Sequence, residues 1–243
     1  VEPRRFVLFG GDHLAALALT ALASIVLAAV ARRHREGPIG SWLRRTLAVL
    51  MLAGVASYVA AETVKGQVHP LEFLPLHLCD AAIFLGVFAL LTRRPLACEL
   101  LYFWAFGAGS LALLTPEVWY GFPDWRFVIF FLMHGLTIVA AAVLTFGFGC
   151  RPGPGAAWRA FGWTAAYAAL VAVLNLALGA NFLYLRAKPV TATLLDHFGP
   201  WPVYIFVSAL IGLALFHLLG WPFRGAEGKR ARPERLASPE PRA

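Results

Sequence analysis

The chain has 243 residues, of which 60% are hydrophobic and only 14% charged, with a mean hydropathy of +0.70. Soluble domains carry roughly 45–50% apolar and about 25% charged residues, so the composition excludes an ordinary soluble domain and indicates an integral membrane protein. The formal charge of +8 does not point to nucleic acid, because the cations sit between apolar runs and in the C-terminal tail, where they set topology.

Runs of about 20 apolar residues, enough to cross a bilayer, predict seven transmembrane helices. They lie near 12–31, 44–62, 74–92, 96–115, 126–148, 159–179 and 200–219. Short connections join them, so the expected fold is all-α: one polytopic bundle of seven transmembrane helices over residues 1–222. The remaining "FRGAEGKRARPERLASPEPRA", residues 223–243, is basic, Pro-rich and aperiodic. Such composition predicts a disordered tail.

The first run has a competing reading as a signal peptide, with Ala29 and Ala31 in a cleavage-like pattern. Against it stand the length of the run, the early Asp12 and His13, and the "RRHRE" that follows directly, as after a stop-transfer segment. The transmembrane reading is preferred. Orientation then follows from Lys and Arg. With the N-terminus outside, fifteen of the 21 fall on the inner side, six of them in the tail. This predicts N-out, C-in. Trp119, Tyr120, Trp125, Trp201 and Tyr204 fall at the outer level and suit an interfacial aromatic belt.

Polar residues inside these spans share one depth. Asp12 and His13 lie at the outer end of span 1, Glu62 at the outer end of span 2, and His77, Cys79 and Asp80 at the start of span 3. His134 is about 12 Å below the outer surface in span 5, and Asn175 and Asn181 close span 6. Glu99 is the exception, near the inner face beside Arg93 and Arg94. Ionisable groups in a membrane usually face the bundle interior and partner one another, so the pattern predicts a polar chamber open to the outer side. The alternative is a set of helix-end residues snorkelling to the interface.

"FLPLHLCDAAIFL", residues 73–85, concentrates the chemistry. Pro75 suits a first helical position, which places Cys79 in the second turn. A helix N-terminus favours the thiolate. His77 and Asp80 are three apart and share a face, whereas His77 and Cys79 do not, so a base for Cys79 is expected from another helix, with His134 the choice. The plainer alternative is a small buried hydrophobe. Cys98 and Cys150 lie near the inner face, too far from Cys79 to pair with it, and no disulfide framework is indicated. "TATLLDHFG", in the longest outer connection, predicts a short interfacial helix ended by Gly199 and Pro200. Arg186 and Lys188 beside it are placed for lipid phosphates, or the segment is an ordinary lidding loop. The glycines of "AFGAGSLALL" predict close helix packing. No repeat of one half in the other is evident.

"FLPLHLCDAAIF" together with "ANFLYLRAKPVTATLLDHFGPWPVYI" resembles the YwaF-type bacterial integral membrane proteins, over about residues 6 to 219. That family is related to the animal transmembrane protein 164 family, and the resemblance implies a phospholipid acyltransferase using a membrane cysteine. On matching positions the cysteine is Cys79, with His77 beside it and His134 as the second histidine; Asn181, Tyr184, Lys188 and Pro189 match the later block. One departure is Asp80, where a small residue such as Ser is expected. A carboxylate there opposes thiolate formation unless it orients His77 or His134.

The expected function is therefore phospholipid acyl transfer or acyl hydrolysis in a bacterial plasma membrane. Cys79, His134, His77 and Asp80 are the catalytic candidates. Asn181, Tyr184, Arg186, Lys188, Glu62 and His13 are the substrate-binding candidates. Membrane phospholipids are the expected partners, with no nucleic acid and no cofactor, and no feature sets an oligomeric state. Two alternatives stay open. One is a metal-dependent hydrolase using His77, Asp80, His134 and Glu62 or His13, although no paired-histidine motif supports it. The other is a small transporter or lipid-binding protein.

Overall fold

A computed structural model describes residues 4–66, 71, 74–189 and 193–226. The described residues form seven helices: α1 Gly11–Arg33, α2 Pro38–Val64, α3 Leu78–Thr92, α4 Pro95–Leu114, α5 Trp125–Gly147, α6 Ala156–Leu178 and α7 Val203–Gly220. The fold class is as expected. The tail reads differently at its start: Trp221–Ala226 is a 3-10 turn continuing α7. The expectation of disorder beyond it falls on residues outside those described.

Local chemistry explains most boundaries. Pro38 and Pro95 occupy first-turn positions, where the missing N–H costs nothing. The Asp124 carboxylate accepts the Arg126 N–H at 2.9 Å and starts α5. Gly179, at φ +67°, ends α6 in the left-handed conformation that glycine adopts without penalty.

Six helices are long and apolar enough to cross a membrane, whereas α3 has only 15 residues. At about 1.5 Å per residue it reaches about 22 Å, short of the roughly 30 Å hydrocarbon core. The expected span began at 74. Instead, residues 74–77 approach in non-helical form, and His77 is the N-cap with φ −71° and ψ 150°. Tertiary contacts hold this start: the Tyr167 hydroxyl donates to the Leu76 carbonyl at 3.0 Å, and the His77 ring packs on Phe182 and Tyr184.

The interior pair is α4 and α5. Most of their residues are buried, whereas the other long helices are largely exposed, so the remaining five screen them from lipid. One core gathers α1, α2 and α3 around α5, and a second joins α4 to α6 and α7. The run Val139–Leu144 is almost wholly buried because its alanines let neighbours approach closely. Both interior helices carry a π turn, Ala105–Gly109 in α4 and Val143–Gly147 in α5. The expected close packing at "AFGAG" holds for Gly107, where an added Cβ would lie 3.4 Å from Phe216, while Gly109 has looser surroundings. Tighter contacts of this kind lie elsewhere: a Cβ on Gly54 would stand 2.1 Å from Met133 Sδ, and one on Gly147 2.6 Å from the Cβ of Ala31. Outward faces such as Leu19, Leu22 and Ile25 on α1 are exposed and apolar, as a lipid-facing surface requires.

Candidate active-site chamber

At the end of the bundle that holds the start of α3, a cavity of about 1120 Å³ opens between α2, α3, α4, α5 and the loop after α6. Glu62, His77, Cys79, Asp80, His134, Asn181 and Tyr184 all line it. Residues from four separate segments, read in the sequence as sharing one depth, thus face a common space. Most of the remaining wall is apolar, including Val55, Ile83, Ile129 and Met133.

Cys79 is the second residue of α3 and lies in its first turn, one turn earlier than expected. The N–H groups of a first turn have no intrahelical partner. The residue is exposed, and its thiol donates to Asp80 Oδ1 at 3.7 Å. Asp80 lies in turn within electrostatic reach of both His77 and His134. The carboxylate that departs from the family pattern is thus in contact with the thiol and within electrostatic reach of both imidazoles.

His134 is set up as a proton acceptor. Its Nδ1 lies 2.9 Å from the Phe130 carbonyl, and the ring stacks on Phe130 at 4.2 Å and 29°. A carbonyl only accepts, so in the neutral ring Nδ1 carries the hydrogen and Nε2 keeps its lone pair. The ring is thereby held by its own helix with the basic nitrogen unspent.

The loop after α6 forms the remaining wall. Asn175 is fully buried, and its side chain pairs with both the N–H and the carbonyl of Phe182, at 2.8 and 2.9 Å. Asn181 accepts from the Arg186 and Ala187 N–H groups and donates to the Ala187 carbonyl. Tyr184 has φ +53°, packs at a tilt against His77 with ring centres 5.6 Å apart, and accepts at its carbonyl from the Tyr204 hydroxyl. Burial, then the charges of Glu117 and Cys79, push the Tyr184 phenol above its ordinary value, so it stays a hydrogen-bond donor at neutral pH. The short helix expected in this loop is a 3-10 turn, Leu194–Phe198, ended by Gly199 at φ +90°. The Asp196 carboxylate caps it by accepting the Thr193 N–H at 2.8 Å.

Three candidates are not brought to the chamber. His13 is completely buried: Nδ1 accepts from the Phe9 N–H at 2.9 Å, Nε2 donates to the Leu113 carbonyl at 2.8 Å, and Phe6, Phe9 and Phe131 surround the ring. Nε2 thereby ties α1 to α4, and Nδ1 holds the approach to α1. The Arg186 guanidinium donates to the Asn175 and Ala180 carbonyls at the end of α6. Lys188 is held by Asp196 and the Tyr204 ring. Their charge goes to the protein's own carbonyls and carboxylate. Glu99, expected beside Arg93 and Arg94, instead forms an ion pair with Arg159 of α6 at 2.7 Å.

Other lining residues were not singled out as site residues. Glu117 faces the cavity, and Trp119, Tyr120 and Trp125, read as an interfacial belt, line it too. Among the described lining residues Arg126 is the single Lys or Arg. It is bound through two nitrogens to Asp124, whose carboxyl is held below the usual carboxylate range by those bonds. A Pro-Glu pair followed by aromatics between spans was the only signal available for this rim.

The model of the TMEM164 family matches residues 8–220, which include every helix described above. The chain belongs to the TMEM164 family. A relative from Treponema pallidum (strain Nichols), described as an uncharacterized protein, is 33% identical over 159 residues, 65% of this chain. The chain likewise spans 65% of that relative's length. No solved structure matches the chain, so the TMEM164 assignment rests on sequence, and the chamber geometry stands on this structure.

Proposed function

We propose that this TMEM164-family protein is a phospholipid acyltransferase or acyl hydrolase with Cys79 as nucleophile. The observation that carries this reading is that the exposed Cys79 thiol, its partner Asp80 and the two histidines line one large and mostly apolar cavity. An apolar wall with a few convergent polar groups is the usual form of a small-molecule site. Here it suits an acyl chain with an ester linkage at the polar end.

The steps follow from the residues present. The thiol proton passes to His134 Nε2, and the sulfur attacks the ester carbonyl. The developing oxyanion is stabilised by the unpaired N–H groups at the start of α3. When the C–O bond breaks, the departing lysolipid oxygen takes the proton back from His134, leaving a thioester on Cys79. An acceptor hydroxyl, from a lysophospholipid or water, then gives its proton to His134 and attacks the thioester, and the thiol is restored. Asp80 acts as a positioning residue that links the two imidazoles to the sulfur.

A metal-dependent reading has less support. Among the described residues no group of three or more His, Cys, Asp and Glu converges as a ligand set, and His13 is committed elsewhere.

The test is labelling of the protein in lipid vesicles with phospholipids bearing a tagged acyl chain, read on denaturing gels with turnover measured in the same samples. A hydroxylamine-sensitive label, absent in Cys79→Ala, is expected. Turnover that survives in Cys79→Ala would refute the nucleophile. Absence of both label and turnover across several lipid mixtures would favour a lipid-binding role.

A further inference from the structure

The opposite end of the bundle holds a second thiol cluster that the proposed chemistry does not use. Cys98, in the first turn of α4, is 1% exposed, and Cys150, in the loop after α5, is half-buried. Their side chains lie within interaction range of each other. Arg93 and Arg44 both lie within electrostatic reach of Cys150. The two guanidinium groups flank the Phe148 ring, at 5.1 Å for Arg93 and 5.4 Å for Arg44. Cys150 is held by its N–H, which donates to the Leu144 carbonyl at 2.9 Å.

These contacts define an anion pocket with sulfur as the anion. The neighbouring Cys98 thiol and the nearby cations bring the Cys150 thiol down to about 6, which favours its thiolate. Two other charged groups at this end are already partnered: Glu99 is bonded to Arg159 and to the Gly153 N–H, and Arg35 donates to the Gly147 carbonyl at 2.6 Å. A thiolate, partly accessible and next to a buried second thiol, matches the arrangement of a sensor cysteine with its resolving partner.

We propose that Cys150 and Cys98 form a reversible redox modification site, in which Cys150 reacts with a peroxide and Cys98 resolves the product to a disulfide. The Cys150 thiolate attacks one peroxide oxygen, the O–O bond breaks, and the leaving oxygen takes up a proton to depart as an alcohol or water. Cys150 is then a sulfenic acid. The Cys98 sulfur attacks the Cys150 sulfur, the S–O bond breaks, and hydroxide leaves with the Cys98 proton as water. The two thiols are oxidised by two electrons and the peroxide is reduced. The disulfide fastens the start of α4 to the loop between α5 and α6 and removes the negative charge that Arg93 was holding. On the N-out orientation this end faces the cytoplasm, where thiols are kept reduced, so the thiol pair is the resting form.

The experiment uses the full chain in lipid nanodiscs, treated with hydrogen peroxide and digested after blocking free thiols. Wild type is expected to give a Cys98–Cys150 cross-linked peptide that reductant releases, with Cys79 still alkylatable. Cys98→Ser is expected to stop at a dimedone-reactive Cys150, and Cys150→Ser to leave Cys98 unoxidised. Alkylation of Cys150 should rise with pH through about 6, and Arg93→Gln should slow it at pH 7 on the order of tenfold by returning the thiol toward its ordinary range. The proposal is overturned if wild type gives no such peptide, or if Cys150 proceeds to the sulfinic acid as readily with Cys98 present as without it. Size-exclusion profiles of each variant identify any that fail to fold, and the conservative Arg93→Lys then supplies the alkylation comparison. The readout is independent of acyl transfer, so it stands or falls apart from the chemistry of Cys79.

Discussion

Two histidines of identical chemistry end in opposite situations. His13 spends both nitrogens on main-chain partners inside an aromatic cage, whereas His134 spends one and keeps the other. His134→Gln is therefore expected to lower turnover by about 10²–10⁴, the usual contribution of a general base, with little loss of folded protein. His13→Ala is expected to act on folding, since it leaves a buried N–H and a carbonyl unpaired at about 1–3 kcal/mol each. Initial rates and thermal melts on the two variants separate these outcomes. Asp80→Asn keeps the shape but removes the charge between thiol and imidazoles. A loss of about 10²-fold or less, with the thioester still detectable, is the expectation for positioning rather than nucleophilic attack. In the sequence these two histidines could not be told apart, because depth was legible and the partner on the facing helix was not. Arg186 and Lys188 are a similar case: cations near lipid look ready for phosphate, yet here carbonyls and Asp196 from their own loop reach them first.

At the scale of elements, the six long helices were readable because twenty apolar residues in a row leave few other options. The start of α3 was not. Pro75 permits a helix from that point, but the hydroxyl of Tyr167, 91 residues away in sequence, takes the Leu76 carbonyl and leaves the approach non-helical. Tyr167→Phe removes that bond. It is expected to cost about 1 kcal/mol of stability and to lower turnover by more than this implies, because the turn bearing Cys79 loses its anchor. Asn175→Ala is expected to be the harsher change. It strands the N–H and carbonyl of Phe182 in a buried setting, about 2–5 kcal/mol in all, and it frees the loop that carries Tyr184. Thermal melts compared with the fraction of active protein would check both. The π turns of α4 and α5 were also invisible, since small and apolar residues at "AFGAG" and "VLTFG" read as ordinary helix and only the packing against neighbours reveals the extra residue in the turn.

For the whole molecule, the charge asymmetry between the two ends predicts N-out, C-in, and a direct test is available. In a cysteine-free background, Glu36→Cys is expected to react with an impermeant maleimide only from the cytoplasmic side, and Leu194→Cys only from the outside. The reverse pattern would place the chamber on the cytoplasmic side and exchange the environments of the two cysteine sites. The brevity of α3 has a consequence for the lipid around it. A helix of about 22 Å in a hydrocarbon layer near 30 Å is a hydrophobic mismatch, and the bilayer relieves it by thinning and drawing headgroups inward beside the short element. That dimple forms where Cys79 and Asp80 begin the helix. On the proposed acyl chemistry, phospholipids settling into it would bring their ester carbonyls down to the level of the thiol, and the membrane itself would deliver the reacting bond. Turnover in vesicles should accordingly be higher in thin bilayers than in thick ones. Equal rates across chain lengths would mean that the bilayer keeps its full depth at the wall of the bundle.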